Sequence, residues 1–322
     1  MTNDLATAET IGEITPLIEG NGHTSVAVYP VGARFADPVG WVDANKTALQ
    51  ADLRTRGAVL LRGFPVDLDV FSRVVALVGG TALEYKERST PRTAVSGNVY
   101  TSTDYPAEQS IPMHNENSYA DSWPSLLFFF CHTASETGGA TPVADSRAVL
   151  RLLPPDVRDR FGAGVTYTRT FREGLGLSWE ETYQTTDRAA VEEYCARHGQ
   201  EFEWTDEGLR TRHRRPAVQR EPNTGEEVWF NQANLFHIAS LGPELYEVLM
   251  SAYGEHGLPR HAFFGDGSAI GDEDLQAIAQ AYETASVALP WQEGDILVIN
   301  NMLTAHGRQP YTGERRILVA MT

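Results

Sequence analysis

The chain has 322 residues, of which 42% are hydrophobic and 21% are charged, and its formal net charge at pH 7 is −17. This composition is ordinary for a globular protein with a sizeable core, and so large a negative charge would repel nucleic-acid phosphates and anionic membrane surfaces. We therefore expect one domain over residues 1–322, with neither nucleic acid nor a membrane as its partner.

The cysteines and the N-terminal residues bear on location. Cys131 and Cys195 are the only two cysteines, and neither lies in a redox or metal-binding pair. Residues 1–11 are polar and acidic, unlike a secretory signal, and the longest apolar run, 126–131, is too short to span a bilayer. We expect a cytoplasmic protein, and the sequence leaves open whether it forms a homo-oligomer.

The first half of the chain contains short elements. Residues 1–25 lack periodicity and suggest a loosely held arm, while 42–53 and 67–78 have helical patterns. Between these helices, the apolar run at 57–64 lies between glycines and predicts a buried strand. From 95 to 145, short apolar runs alternate with turn residues, which is typical of several short strands.

The second half predicts an insertion and then a return to strands. Residues 146–285 contain helical segments, among them 187–198 and 243–253, and resemble an insertion between two β blocks. Strands follow at 295–300 and 316–321, with a turn at 307–310 between them. The fold class expected is mixed α+β, with a β-rich double-stranded β-helix (jelly roll), flanking helices and a helical insertion.

The pair His114 and Glu116 is the first candidate metal site. Alternate residues of a strand face the same side, so both side chains could bind one ion. Roughly one His-x-Asp/Glu pair is expected by chance with this composition, and the chain contains one. The pair alone therefore also fits a hydrogen-bonded surface histidine.

His306 strengthens the case because it follows an apolar strand and precedes Arg315 and Arg316. Two histidines and one carboxylate leave coordination positions open on Fe(II), as a non-haem oxygenase requires, and an arginine could bind an oxo-acid co-substrate through a bidentate fork. A zinc hydrolase could use the same ligands, and a cupin-like protein could share the architecture. Neither alternative explains the arginine pair together with the long separation of Glu116 from His306.

Other polar residues have two readings each. Arg92, Thr103 and Asn231 lie in loop-like polar stretches near strand ends, where they could contact substrate or simply hold turns. The basic run at 210–215 could bind an anionic substrate or carrier, or form a solvated charged turn.

Four motifs together resemble the taurine dioxygenase/TfdA family of Fe(II)- and 2-oxoglutarate-dependent oxygenases, and especially its SyrP-like branch of amino-acid-tailoring enzymes. The resemblance covers about residues 57–321. The motifs, in chain order, lie at 57–64 (Gly-Ala-Val-Leu-Leu-Arg-Gly-Phe), 111–119 (Ile-Pro-Met-His-Asn-Glu-Asn-Ser-Tyr), 138–145 (Gly-Gly-Ala-Thr-Pro-Val-Ala-Asp) and 305–316 (Ala-His-Gly-Arg-Gln-Pro-Tyr-Thr-Gly-Glu-Arg-Arg).

The resemblance implies roles for individual residues. The iron ligands fall on His114, Glu116 and His306, and the co-substrate threonine on Thr141. The arginine that pairs with 2-oxoglutarate falls on Arg315 or Arg316. These two point to opposite faces of a strand, so only one can bind it, and we favour Arg315.

Two departures from the commoner pattern refine the expectation. The carboxylate ligand is Glu116 rather than aspartate, as in SyrP-like and clavaminate synthase-like enzymes, whereas a halogenase would have alanine or glycine there. Val319 and Ala320 stand where the taurine enzymes have a further arginine, so a sulfonate substrate is not supported.

The resemblance implies an enzyme that uses Fe(II), 2-oxoglutarate and O2. It would hydroxylate an unactivated C–H bond of an amino acid, free or bound to a carrier protein, in secondary metabolism, with release of succinate and CO2. Desaturation and cyclisation use the same ligands and remain alternatives. A jelly-roll protein that binds a metal or small molecule without turnover is a further alternative from a different class.

Overall fold

The computed structural model describes residues 17–29, 37–81, 94–96, 99–101, 105–206 and 208–322. Within these ranges the strands are β1 (Leu17–Gly20), β2 (Thr24–Tyr29), β3 (Ala58–Leu61), β4 (Ala94–Ser96), β5 (Val99–Thr101), β6 (Ile111–His114), β7 (Leu126–Thr133), β8 (Thr137–Gly138), β9 (Thr141–Asp145), β10 (Val165–Arg172), β11 (Glu201–Thr205), β12 (Gly208–Arg215), β13 (Val218–Arg220), β14 (Glu227–Trp229), β15 (Arg260–Phe264), β16 (Ser286–Leu289), β17 (Ile296–Asn300), β18 (Thr304–Arg308), β19 (Tyr311–Thr312) and β20 (Arg316–Met321).

The α-helices of the same ranges are α1 (Pro38–Thr55), α2 (Leu68–Gly79), α3 (Ser146–Leu152), α4 (Pro155–Arg160), α5 (Trp179–Tyr183), α6 (Arg188–Arg197), α7 (Ala233–Phe236), α8 (Pro243–Tyr253) and α9 (Asp272–Ala285). The N-termini of α1 and α2 are capped by Asp37 and Asp67, whose carboxylates accept from backbone N–H groups inside the first turn. None of these helices combines the length and apolar character needed to cross a bilayer.

Two sheets form the jelly roll. The larger has the order β1-β2-β3-β17-β7-β20-β5-β4, and the smaller has the order β16-β9-β18-β6. In both, strands from the first β block lie beside strands from the C-terminal block: β17 pairs with β3 and β7, and β18 with β9 and β6. The expected fold class is therefore confirmed.

The larger sheet is buried on both faces, which explains why its central strands are continuous apolar runs. On β7, Phe128 and Phe130 pack in the cluster that contains α1 and α2. Phe129 and Cys131 point the other way, into the cluster between the two sheets that also includes Val143 of β9. Strand alternation thus supplies one layer under the helices and one inside the jelly roll.

Two expected elements differ from the structure. Strands β1 and β2 begin inside the arm expected at 1–25, whose residues 1–16 lie outside the described ranges. The turn expected at 307–310 begins later, because β18 continues through Arg308. The arm was misjudged because β1 and β2 are short, and their pairing with each other and with β3 decides their structure.

The insertion at 146–285 is not only helical. It contains a second four-stranded sheet, β11-β12-β10-β15, and the hairpin β13-β14. Strand β12 is the basic run that one reading took for a charged turn. Thr211 and His213 are buried while Arg212 and Arg214 are exposed, so the strand alternates without being apolar. The limits of the single domain stay a prediction.

Candidate metal centre and adjoining cavity

The smaller sheet brings the two candidate histidines together. His114 is the last residue of β6 and lies directly opposite His306 of β18 in the antiparallel register, with ring centroids 4.4 Å apart. Glu116 lies two residues beyond the strand. Ligand atoms of all three residues lie within 4.8 Å of one another, and in the described ranges this is the one group of three or more such residues that could hold an ion.

Both histidines are held in position by their surroundings. The Nδ1 atom of His114 lies 2.8 Å from the carbonyl oxygen of Pro112, so an Nδ1–H there would donate to it and leave Nε2 for an ion. The His306 ring packs against Phe129 of the larger sheet with centroids 5.0 Å apart. A neutral imidazole so oriented is a suitable metal ligand.

Buried amides fix the backbone that carries Glu116. The side chain of Asn301 accepts from the Glu116 N–H (2.8 Å) and donates to the Glu116 carbonyl (2.9 Å) and the Pro124 carbonyl (3.0 Å). Asn115 donates to the Asn301 carbonyl (2.6 Å), and Gln232 donates to the Asn115 carbonyl (2.7 Å). Asn115 and Asn301 are fully buried.

Sequence reasoning missed these amides. The signal was present in the pair Asn300-Asn301, two amides at the end of the apolar strand β17, because a buried amide needs partners and often holds a loop. A helix or strand pattern does not show which loop it will hold.

A cavity of about 50 Å³ adjoins the triad. It is lined by His114 and His306, by the polar groups of Thr141, Arg308 and Arg315, and by apolar side chains. The Nε1–H of Trp291 donates to the Thr141 hydroxyl (3.0 Å), so the hydroxyl can donate its own proton to an oxygen in the cavity.

The structure separates the two candidate arginines. Arg315 lines this cavity, and its Nε donates to the carbonyl of Gly139 (3.0 Å). Arg316 is exposed and lines a different depression. Burial, together with the like charge of Arg308, lowers the pKa of Arg315 to about 10, so it is still a cation at pH 7.

Arg308 is a cavity residue that the sequence did not single out. It is buried, and its guanidinium donates to the carbonyls of Tyr105 (3.0 Å), Gln109 (2.8 Å) and Pro106 (2.5 Å). Burial lowers its pKa as well. Its bonds hold the segment 105–109 over the cavity, so its first role is to position that loop.

Of the three candidate substrate residues, the structure describes only Asn231, which does not line this cavity. Arg92 and Thr103 lie outside the described residues. Asn231 is fully buried, where its amide donates to the carbonyl of Ala217 (2.9 Å) and accepts from the N–H of Ala233 (3.0 Å). Its side chain holds backbone together, which corrects the expectation that it contacts substrate.

The site fits Fe(II) together with a dicarboxylate. Two imidazoles and one carboxylate are the donor set of non-haem Fe(II) oxygenases, and they leave positions for a chelating co-substrate. The cationic Arg315 and the hydroxyl of Thr141, in the adjoining cavity, match the carboxylate of such a molecule. A hydrolytic zinc centre would give no role to Arg315 and Thr141.

Comparisons with known proteins agree with this arrangement. The family model described as "Taurine catabolism dioxygenase TauD, TfdA family" matches residues 14–322. The dapdiamide synthesis protein DdaC of Enterobacter agglomerans is 38% identical over 311 residues, which are 96% of this chain and 93% of that protein.

Two solved structures have a similar fold. PvcB, described as an Fe, alpha-ketoglutarate dependent oxygenase from an isonitrile synthetic pathway, has a TM-score of 0.55 at 15% identity, covering 97% of this chain and 93% of its own. An asparagine oxygenase in complex with Fe(II), 2S,3S-3-hydroxyasparagine and succinate has a TM-score of 0.53 at 14% identity, covering 88% and 80%.

Proposed function

The chain belongs to the TauD, TfdA family of dioxygenases and is an Fe(II)- and 2-oxoglutarate-dependent oxygenase, and on this premise we propose that His114, Glu116 and His306 hold the iron and that the enzyme hydroxylates an amino acid. The observation that supports this most is the triad, with ligand atoms within 4.8 Å, beside a cavity that contains Arg315. When bound, the iron lets dioxygen oxidise a substrate C–H bond while 2-oxoglutarate is decarboxylated to succinate and CO2.

Arg315 and Thr141 bind the co-substrate in this proposal. The guanidinium forms a bidentate pair with the carboxylate of 2-oxoglutarate that lies away from the metal, and the Thr141 hydroxyl donates to the same group. Because burial lowers the pKa of Arg315, its charge is costly without a counter-ion, and a carboxylate offsets that cost. Phe129, Ile317 and Val319 line the same cavity and exclude water from the pair.

An amino acid as substrate is supported by the relatives. The asparagine oxygenase was solved with a hydroxylated amino acid and succinate, and DdaC is named as a synthesis protein. We propose hydroxylation of an amino acid, free or attached to a carrier protein, in secondary metabolism. Desaturation or cyclisation would use the same oxidant.

The proposed location is the cytoplasm. Both cysteines are buried, Cys131 between the two sheets and Cys195 in a separate cluster of the insertion, which suits a reducing compartment.

Anaerobic titration of the metal-free protein with Fe(II) and 2-oxoglutarate tests the site. The bound pair gives a weak visible charge-transfer band, and succinate formation in air reports turnover. We expect the band in the wild type, its loss in His114→Ala, and about 100-fold weaker 2-oxoglutarate binding in Arg315→Ala, because a buried charge pair is worth several kcal/mol.

Matched controls come from exposed residues of the larger sheet. His132→Ala on β7 and Arg316→Ala on β20 alter exposed side chains, so both variants should keep the band and the wild-type affinity. Absence of the band in wild type with iron bound would remove the assignment of the co-substrate site. An Arg316 variant that weakens 2-oxoglutarate binding as much as the Arg315 variant would reverse the choice between the two arginines.

A further inference from the structure

The insertion sheet, β11-β12-β10-β15, packs one of its faces towards the loop after β6 that carries Glu116. Tyr167 of β10 lies on this face, with its ring 6.4 Å from the ring of Tyr119 and 5.0 Å from that of Phe236. Tyr119 is only three residues beyond Glu116. Side chains that share the face of Tyr167 therefore point to the side of the sheet nearest the proposed iron site.

Two arginines lie on this face. Arg169 follows Tyr167 by two residues on β10, and it lies directly opposite Arg260 of β15 in the antiparallel register. Arg169 stacks over the ring of Phe171 (4.6 Å) and donates to the Thr182 hydroxyl (3.2 Å). Like charges directly opposite on adjacent strands repel, so the pair is unfavourable unless an anion lies between or beside them.

Arg260 is half-buried, and the described residues supply no anion for it. In the part of the chain that the structure describes, no carboxylate forms an ion pair with its guanidinium and no acceptor hydrogen-bonds to it. Burial lowers its pKa, the nearby Tyr105 opposes this shift, and Arg169 adds to it. A cation in such a place costs folding free energy, and an evolved protein seldom keeps that cost without a use.

Tyr105 connects Arg260 with the proposed active site. Its ring lies 5.7 Å from the guanidinium carbon of Arg308, and its carbonyl accepts from the same side chain. Arg308 in turn lines the cavity together with His114 and His306. Arg260 therefore lies on the insertion sheet, on the face that carries Tyr167, and Tyr105 acts on its charge, whereas Arg315 approaches the cavity from the jelly roll.

We propose that Arg260, with Arg169 beside it, binds a carboxylate of the substrate and thereby selects a free carboxylic acid. The proposal rests on the proposed function and adds the substrate class to it. The co-substrate carboxylate pairs with Arg315 and the substrate carboxylate with Arg260, so the two acids are held by different sheets. An amino acid attached to a carrier by its α-carboxyl group lacks the α-carboxylate, so the geometry favours a free amino acid.

Acetate is a probe that needs no knowledge of the substrate. The protein loaded anaerobically with Fe(II) and saturating 2-oxoglutarate has its co-substrate site filled, so added acetate reports a second carboxylate site. We expect acetate to raise the midpoint of thermal unfolding by about 2 °C over chloride at equal ionic strength. Arg260→Gln should abolish this difference, and Arg260→Lys should keep only part of it, because it retains the charge without the fork.

Arg212→Gln is the matched control, since Arg212 is exposed on the opposite face of the same sheet. It should keep the acetate effect. In chloride alone, Arg260→Gln should melt at or above the wild-type temperature because it removes an uncompensated cation. An acetate effect that is missing in wild type or persists in Arg260→Gln overturns the proposal, as does an Arg260→Gln protein that melts well below wild type or does not fold.

Turnover tests the substrate class. Each of the twenty proteinogenic L-amino acids is compared with its α-amide in the succinate assay. We expect any amino acid that is oxidised to have a kcat/KM at least 100-fold above that of its amide in wild type, and this ratio to fall towards one in Arg260→Gln. Oxidation of aminoacyl thioesters but of no free amino acid would overturn the proposal.

The charge-transfer band distinguishes a failure of the proposed function from a failure of the carboxylate subsite alone. If the band does not form, the proposed function fails, whatever acetate does. If it forms and acetate has no effect that depends on Arg260, only the carboxylate subsite fails.

Discussion

Replacing Asn301 by alanine should weaken both the fold and iron binding. The change removes three side-chain hydrogen bonds, to the N–H and carbonyl of Glu116 and to the carbonyl of Pro124. Each bond contributes about 1 kcal/mol net, and a buried group left without a partner costs about 1–3 kcal/mol more. We expect the free energy of unfolding of the metal-free protein to fall by about 4 kcal/mol.

Iron binding should also weaken, because the Glu116 backbone loses the amide that fixes it. Loss of a group that orients a metal ligand typically costs 10- to 100-fold in affinity, so we expect about 30-fold weaker Fe(II) binding in Asn301→Ala. Asn301→Asp would put a carboxylate against two carbonyls while it keeps the acceptor for the Glu116 N–H, and should weaken binding to a similar extent.

The assay combines urea denaturation of the metal-free protein with Fe(II) titration against a competing chelator. Asn300→Ala is the control, since the Asn300 side chain accepts from the N–H groups of Met302 (3.0 Å) and Leu303 (3.2 Å) and from neither group of Glu116. It should lower stability by about 1 kcal/mol and leave iron affinity unchanged. Wild-type iron affinity in Asn301→Ala, or equal losses in both variants, would refute the idea that Asn301 positions Glu116.

Three further perturbations probe the surroundings of the site. Gly139→Ala would place a Cβ at a φ of +68° only 3.1 Å from the Arg315 side chain, so 2-oxoglutarate affinity should fall at least tenfold with iron affinity unchanged. Trp291→Phe removes the donor to Thr141, and should weaken 2-oxoglutarate binding about fivefold, equivalent to roughly 1 kcal/mol. Burial, with Arg215 adding to it, lowers the pKa of His213 to about 4. The unfolded chain then binds the proton first, so stability should fall by up to roughly 3 kcal/mol between pH 6.5 and 4.

Each of these has a result that would count against it. Affinity for 2-oxoglutarate is measured by the charge-transfer band. Unchanged affinity in Gly139→Ala would mean that the position of Arg315 is not critical, and unchanged affinity in Trp291→Phe would mean that the hydrogen bond to Thr141 is not needed for binding. For the pH effect, urea unfolding of His213→Gln should show a shallower loss of stability on acidification than wild type. An identical slope would assign the loss to other groups, such as His261, whose pKa burial lowers to about 3.

The proposed ligands could be found from the sequence because strand alternation is a local rule. His114 and Glu116 come together, and Arg315 and Arg316 point apart, as alternation predicts, although Glu116 lies in the turn after β6 and Arg315 lies just before β20. The apolar runs of β7, β17 and β20 likewise indicate buried strands, because their alternate side chains pack on the two faces of the larger sheet.

Strand β12 could not be recognised in the same way. The sequence of this strand is Gly-Leu-Arg-Thr-Arg-His-Arg-Arg. Two of its buried positions hold threonine and histidine, so the sequence does not show the usual alternation of apolar and polar residues. Arg260 was missed for a related reason, because only its pairing with Arg169, 91 positions earlier in the chain, makes it unusual. Such pairings depend on tertiary structure, and no local pattern encodes them.

The placement of β17 and β20 has a consequence for how the protein is made. These strands come late in the chain, yet β17 lies between β3 and β7, and β20 between β7 and β5. During synthesis, strands β3 and β7 therefore have no partner at their facing edges until residues 296–321 are made, and only then can the larger sheet form. We expect the metal centre to form only once this segment has emerged from the ribosome, because His306 arrives with it.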